Sequence, residues 1–360
     1  MTGSRSAVGF AAPAVMPGTD LRRSVQLLEA ELGPGDFSAL PELPQRGHHG
    51  TLLGRSVTQL AELYAELTSY GWRLVQRPGA DHLRATTRLS ADVDTLADVR
   101  GERQETGNAE PGPLRVEILG PVSLAARLHL PQGEKILIDH GARRDLAASL
   151  AAGLQAHCEH ILSSIRPPAL EVTVCEPEYH RVRRGAVPTV SGYQQIRSLG
   201  RDETRALVTE VLNALRAAGV DSVVLDTGRP VTAEQVEDFF SRSRSGASTA
   251  VDGFVLPVHR AEAADWERAA ELAEAGARLQ ASLLRPTGSE ALPEVSALAQ
   301  RVSGPWQALG MPLFSLEAFT LTPISTGERD QFAQLTEPAA LRATTRVRDA
   351  ASALTDQMRA

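Results

Sequence analysis

Apolar and polar positions change rhythm many times along this chain, and each change marks an element. Near the middle, Val172, Thr173 and Val174 form a β-branched run that suits a buried strand. It ends at Cys175-Glu176, because Pro177 cannot donate to a ladder. Comparable runs predict strands at 11–15, 114–119, 223–225, within 251–258, at 278–284 and at 319–323. Between them, apolar residues recur at helical spacing. Leu146, Leu150, Leu154 and Ile161 place a long helix over 141–165, and Gly219 closes another over 203–218. Further helices are expected at 21–32, capped by Thr19 or Asp20, and at 232–240, 266–276, 293–309 and 337–359.

The stretch before residue 112 is less regular. Leu52, Leu60, Leu63, Tyr64 and Leu67 predict an amphipathic helix, Trp72 to Val75 a short extended piece, and residues 92–99 a helix. Residues 33–50 and 102–112, punctuated by Gly and Pro, read as loops. Strands and helices then alternate to the end, with no linker long enough to divide the chain. About eight βα units predict one α/β domain over residues 1–360, a (β/α)8 TIM barrel with extra N-terminal helices and loops capping its mouth. In that fold the C-terminal ends of the strands gather the site. Glu176, a carboxylate at the last position of a buried strand, is then either a site residue or a brace for a loop.

Composition narrows the classes. The 360 residues are 42% hydrophobic and 22% charged, ordinary for a folded chain, and the net charge of −7 argues against a nucleic-acid or anionic-membrane surface. Lys135 is the one lysine and sits in a charged, loop-like context, which argues against Schiff-base chemistry. Two cysteines, Cys158 and Cys175, are too few for a disulfide framework. The apolar patch from Val8 to Met16 is interrupted by Pro13 and lacks a signal-peptide pattern, so a cytoplasmic location is expected.

Several side chains invite a chemical reading. Cys175 is a nucleophile, a metal ligand or a small apolar filler, and the last fits best beside the charge of Glu176. His157-Cys158-Glu159-His160 has the look of a metal cluster but falls inside a long outer helix, where a solvated face is expected. His48-His49 reads as an exposed loop. Asp226 either pairs with Arg229 as a brace or binds a cation or an amine.

A set of segments also carries a family likeness. Leu40-Pro41-Glu42-Leu43-Pro44, Gly71-Trp72-Arg73-Leu74 and Arg77-Pro78-Gly79 come first. Gly120-Pro121, Leu130-Pro131-Gln132-Gly133-Glu134-Lys135 and Gly141-Ala142-Arg143-Arg144-Asp145-Leu146 are next. Glu176-Pro177, Val187-Pro188-Thr189-Val190-Ser191-Gly192 and Leu321-Thr322-Pro323 complete it. Their order and spacing resemble the single-barrel proteins of actinobacteria that are similar to the C-terminal domain of cobalamin-independent methionine synthase. The resemblance implies the barrel that this synthase shares with uroporphyrinogen decarboxylase.

In that family a zinc ion lowers the thiol pKa of homocysteine, and the thiolate takes a methyl group from a methyl-folate. The zinc is held by a His and a Cys after one strand, a Glu after the next and a Cys after the last. The resemblance places these at Leu225-Asp226-Thr227, at the end of Gly253-Phe254-Val255-Leu256-Pro257, and at Ser325 within Pro323-Ile324-Ser325-Thr326-Gly327, so none of the ligands is present. The family's Asp-Glu-Pro reads Cys175-Glu176-Pro177, and its Gly-Ser pair reads Ala14-Val15 before Met16-Pro17. The resemblance therefore implies a degenerate member that has lost its zinc ligands, a non-catalytic or altered-function barrel for a small molecule. The alternative is a methyltransferase carrying a methyl group from a folate-type donor to a thiol such as homocysteine. Glu176, Cys175 and Asp226 are the catalytic candidates, and Glu176, Cys175, Met16, Asp226 and Ser325 the substrate-binding ones. No cofactor is expected, and zinc only if another site has replaced the family's.

Overall fold

A computed structural model that describes residues 7–107, 111–241, 250–286 and 292–359 has eight parallel strands, six of them at predicted runs. The first lies at Gly9–Phe10, just before the run expected at 11–15, of which Ala11 and Val15 make only isolated bridges. The strands are β1 (Gly9–Phe10), β2 (Ser38–Ala39), β3 (Leu114–Leu119), β4 (Leu170–Cys175), β5 (Ser222–Asp226), β6 (Gly253–Pro257), β7 (Arg278–Ser282) and β8 (Phe319–Thr322). From β2 to β8 each strand pairs with the next, and β8 pairs with β1. The two ends of the sheet are joined as well. Phe37 N donates to Phe10 O at 2.9 Å, and Ala12 N to Phe37 O at 2.9 Å. A circle of eight parallel strands in chain order is the TIM-barrel arrangement. Every residue of β4, β5 and β6 is buried, as strands covered on both faces must be.

The outer ring is α1 (Leu21–Glu31), α2 (Ala80–Glu105), α3 (His140–Ser164), α4 (Arg201–Ala217), α5 (Ala233–Phe239), α6 (Ala263–Glu274), α7 (Val295–Ala308) and α8 (Glu337–Arg359). Side-chain caps fix several starts. Asp20 accepts from Arg23 N at 3.1 Å, Asp139 accepts from Ala142 N at 2.8 Å, and Thr232 with Gln235 forms a capping box. The last helix returns to the first strand, where Thr355 Oγ1 accepts from Val8 N at 3.0 Å. Among the described residues no helix is long and apolar enough to cross a membrane.

The N-terminal region departs from its pattern. The helix expected from Leu52 to Leu67 stops at Thr58, and Tyr64–Thr68 forms a hairpin with Gly71–Val75. Ala61 N turns away to Ser149 O of α3 at 3.1 Å, and Glu62 takes a φ of 61°, so the helical ladder cannot continue. Leu67 then faces Trp72 across the hairpin, a contact that helical spacing only mimicked. α2 is also far longer than residues 92–99. Its buried face carries Asp92, which is 2.7 Å from both Arg46 and Arg55, and a paired charge there hides the helix from an apolar pattern. β2 lies where a loop was expected, because two residues are too few to leave a periodicity.

Candidate functional site

Alternation along the strands sends charged side chains into the barrel. Arg115 of β3 is buried and spans the interior. Its Nη2 donates to Ala12 O at 2.7 Å and to Thr322 Oγ1 at 3.3 Å, and its Nη1 donates to Gln280 Oε1 at 3.2 Å. Gln280 in turn donates to Glu171 of β4, which also accepts from Ser222 Oγ at 3.0 Å. Residues of the same parity nearer the mouth therefore face inward too: Glu117, Thr173, Cys175, Asp226 and Ser282.

At the mouth a second arginine enters from the chain after β8. Arg329 Nε donates to Glu42 Oε1 at 2.8 Å, and its Nη1 donates to Glu117. Glu117 also lies 3.6 Å from Arg115. Two of the carboxylates at the mouth, Glu42 and Glu117, thus face two buried guanidinium groups. Four buried polar atoms, Glu42 Oε2, Arg115 Nε, Thr173 Oγ1 and Ser282 Oγ, have no hydrogen-bond partner among the described residues.

The residues singled out in the sequence collect at this end. Glu176 N donates to Asp226 O at 2.7 Å, and Asp226 Oδ2 accepts from Thr326 N at 2.6 Å, next to Ser325. Each is held by its own neighbours. Glu176 is fully buried, and its two oxygens accept from Val122 N at 2.9 Å and Ser123 N at 2.6 Å, at the start of the short helix Pro121–Arg127. A Cβ on Gly120 would lie 2.3 Å from Glu176 Oε1, so glycine there lets the carboxylate in. Burial pushes the Glu176 carboxyl up to about 7, against Ser123 and the Val122 amide. Asp226 Oδ1 accepts from Gly228 N at 2.8 Å rather than pairing with Arg229. Burial raises it to about 6, against the amides of Gly228 and Thr326. Ser325 Oγ donates to Glu328 Oε2 at 2.5 Å within a capping box. Met16 is buried, with its amide on Glu42 O at 2.9 Å.

Cys175 is fully buried, with Sγ 3.6 Å from Glu117 Oε2. Burial first, then the charge of Asp226, push its thiol well above the ordinary value. Glu176, the neighbour expected to repel it, turns its carboxylate to the short helix instead. Cys158 is buried on α3 and pushed up to about 12 by burial and then Glu159, so only Glu159 and His160 of that cluster form a solvated face. His49 is tied to Asp81 at 3.0 Å and packs edge-on against Trp72. Both thiols are therefore expected to resist iodoacetamide in the native protein at about pH 8 and to react fully in denaturant. Rapid native alkylation of Cys175, read by peptide mass, would make it an accessible nucleophile.

The donors at the strand ends do not fit a zinc ion. Asp226 spends each oxygen on an amide, Ser325 spends its hydroxyl on Glu328, and Thr227 offers only a neutral hydroxyl. Among the described residues no three His, Cys, Asp or Glu side chains are grouped to hold a metal ion. His259 comes closest to the expected region, but its Nε2 faces Glu328 at 3.3 Å beside Arg260. Sequence reasoning missed Arg329, Glu42, Arg115 and Glu117. Arg115 and Glu117 did leave a signal, since charges two apart in a buried strand share a face.

Fold and mouth together define a TIM barrel with a polar, ion-paired interior. The B12-independent methionine synthase of Shewanella sp. W3-18-1, solved in complex with selenomethionine, has the same fold. The two superpose with a TM-score of 0.54 over 98% of each chain, at 10% sequence identity. No family model matches the chain, and no curated protein does.

Proposed function

We propose that this chain is a barrel of the methionine-synthase shape that has given up zinc-dependent thiol methylation and holds a small polar molecule in its mouth. One observation carries the reading. The guanidinium of Arg329 lies between Glu42 and Glu117, so a fixed positive charge already sits against the carboxylates at the mouth. A divalent cation brought close to it would be repelled. Buried polar atoms without a partner among the described residues, Glu42 Oε2 beside it and Thr173 Oγ1 and Ser282 Oγ on the inward faces of β4 and β7, favour a ligand with several hydrogen-bonding groups. Cys175 in place of the family's aspartate, together with the engaged Glu176, leaves little to grip an amino-acid zwitterion.

Protein purified without chelator is expected to carry far less than one zinc per chain by elemental analysis. Homocysteine and methionine are expected to bind with dissociation constants weaker than ~1 mM, under about 4 kcal/mol of binding free energy. One zinc per chain, micromolar binding of homocysteine, or its methylation from a methyl-folate would overturn the reading and restore the methyltransferase.

A further inference from the structure

At the opposite end of the barrel the loops entering β2 and β3 enclose a cavity of about 320 Å³. Its walls are Leu32, Pro34 and Pro111, with Glu29, Arg100 and Arg103 facing inward. Arg100 comes from α2 and its side chain is only 3% exposed. One of its nitrogens, Nη2, donates to Gly112 O, but Nε and Nη1 have no hydrogen-bond partner among the described residues. The carboxylate of the described lining does not satisfy them. Glu29 Oε1 accepts from the Ser38 hydroxyl and stands 3.7 Å from Arg100 Nη1, while its Oε2 stands 4.0 Å from Arg103 Nε. Both separations are too long for a hydrogen bond. Asp36, just outside, accepts from Gly33 N at 2.8 Å and faces the charge of Arg348.

Among the described residues the lining therefore holds two guanidinium groups against one carboxylate. A buried donor left unmade is costly, and more so when charged. We infer that this cavity is a binding site for a small monocarboxylate with an apolar body, its carboxylate on Arg100 and Arg103 and its body against Leu32, Pro34 and Pro111. With Glu29 already set against the two arginines, a singly charged carboxylate fits the described lining better than a doubly charged phosphate, and the apolar walls would waste the faces of a bare anion. The volume lies within the range of small-molecule sites. The site is on the N-terminal face, separate from the mouth, and stands whether or not the mouth binds anything.

Calorimetry on the full chain tests this with benzoate, its neutral isostere benzamide and inorganic phosphate. Benzoate is expected to bind at least about tenfold more tightly than either. Arg103→Gln is expected to weaken benzoate about tenfold, and Pro34→Glu, which places a carboxylate at the rim beside Arg100, to abolish its binding. Both substitutions are on the rim and spare the buried Arg100, so folding, checked by circular dichroism, is kept. Equal binding of benzoate and benzamide, tighter binding of phosphate, no binding of benzoate to the wild-type chain, or an Arg103→Gln protein that binds benzoate unchanged would overturn the inference.

Discussion

Arg329→Met is expected to destabilise the barrel by about 3–5 kcal/mol, the cost of removing one partner from a buried ion pair. Arg329 lies on the chain after β8, yet its guanidinium serves Glu42, after β2, and Glu117, on β3. Without it both carboxylates face each other in a buried mouth, with Arg115 at 3.6 Å from Glu117 as the remaining cation nearby. The methionine keeps most of the packing, so the loss reports electrostatics rather than a cavity. Adding Glu42→Gln and Glu117→Gln is expected to recover much of it, because no uncompensated charge remains. Urea unfolding followed by circular dichroism measures both. A loss below about 1 kcal/mol for the single variant would mean that these carboxylates are solvated and the pair is worth no more than a surface one.

Glu176→Ala is expected to cost about 2–4 kcal/mol, since two buried amides, those of Val122 and Ser123, lose their acceptor together. Glu176→Gln keeps one acceptor oxygen and is expected to cost less. The ordering Ala worse than Gln worse than Glu in unfolding midpoint identifies a brace. If both variants unfold like the wild type but lose a mouth ligand, Glu176 is a binding residue instead.

Much of the barrel is legible in the sequence because its strands are buried on both faces. Val172 to Val174, Val223 to Leu225 and Phe319 to Leu321 are runs that only a covered strand explains. The terminal helix matches residue for residue, with Glu337 and Arg359 at its ends. The N-terminal region was less readable because tertiary contacts overrule its local pattern: Ala61 prefers a carbonyl of α3, and Asp92 is buried only because Arg46 and Arg55 meet it. The mouth shows the same division. Cys175, Asp226 and Ser325 are recognisable as strand ends, and they do converge. The partners of Asp226 and of the neighbouring Glu176 include Thr326 and Val122, which no spacing in the sequence announces. Arg329 has no local signature at all, since the carboxylates it serves are more than 200 positions earlier.

The short first strand has a consequence in time. β1 is held on one side by β8, through the Gly9–Thr320 and Phe10–Leu321 pairings, and at its start by Thr355 of the last helix. Pairings this distant in sequence close large loops before any contact rewards them. On the ribosome, residues 10–16 meet Phe37 and Glu42 early, but the other side of β1 and the Val8 amide wait until residues 319–355 are made. During that wait Gly9 and Phe10, buried in the finished barrel, form an open edge without the cover of β8. The stage at which this barrel is most exposed to a chaperone is the one before closure, when β8 has yet to be laid between β7 and β1.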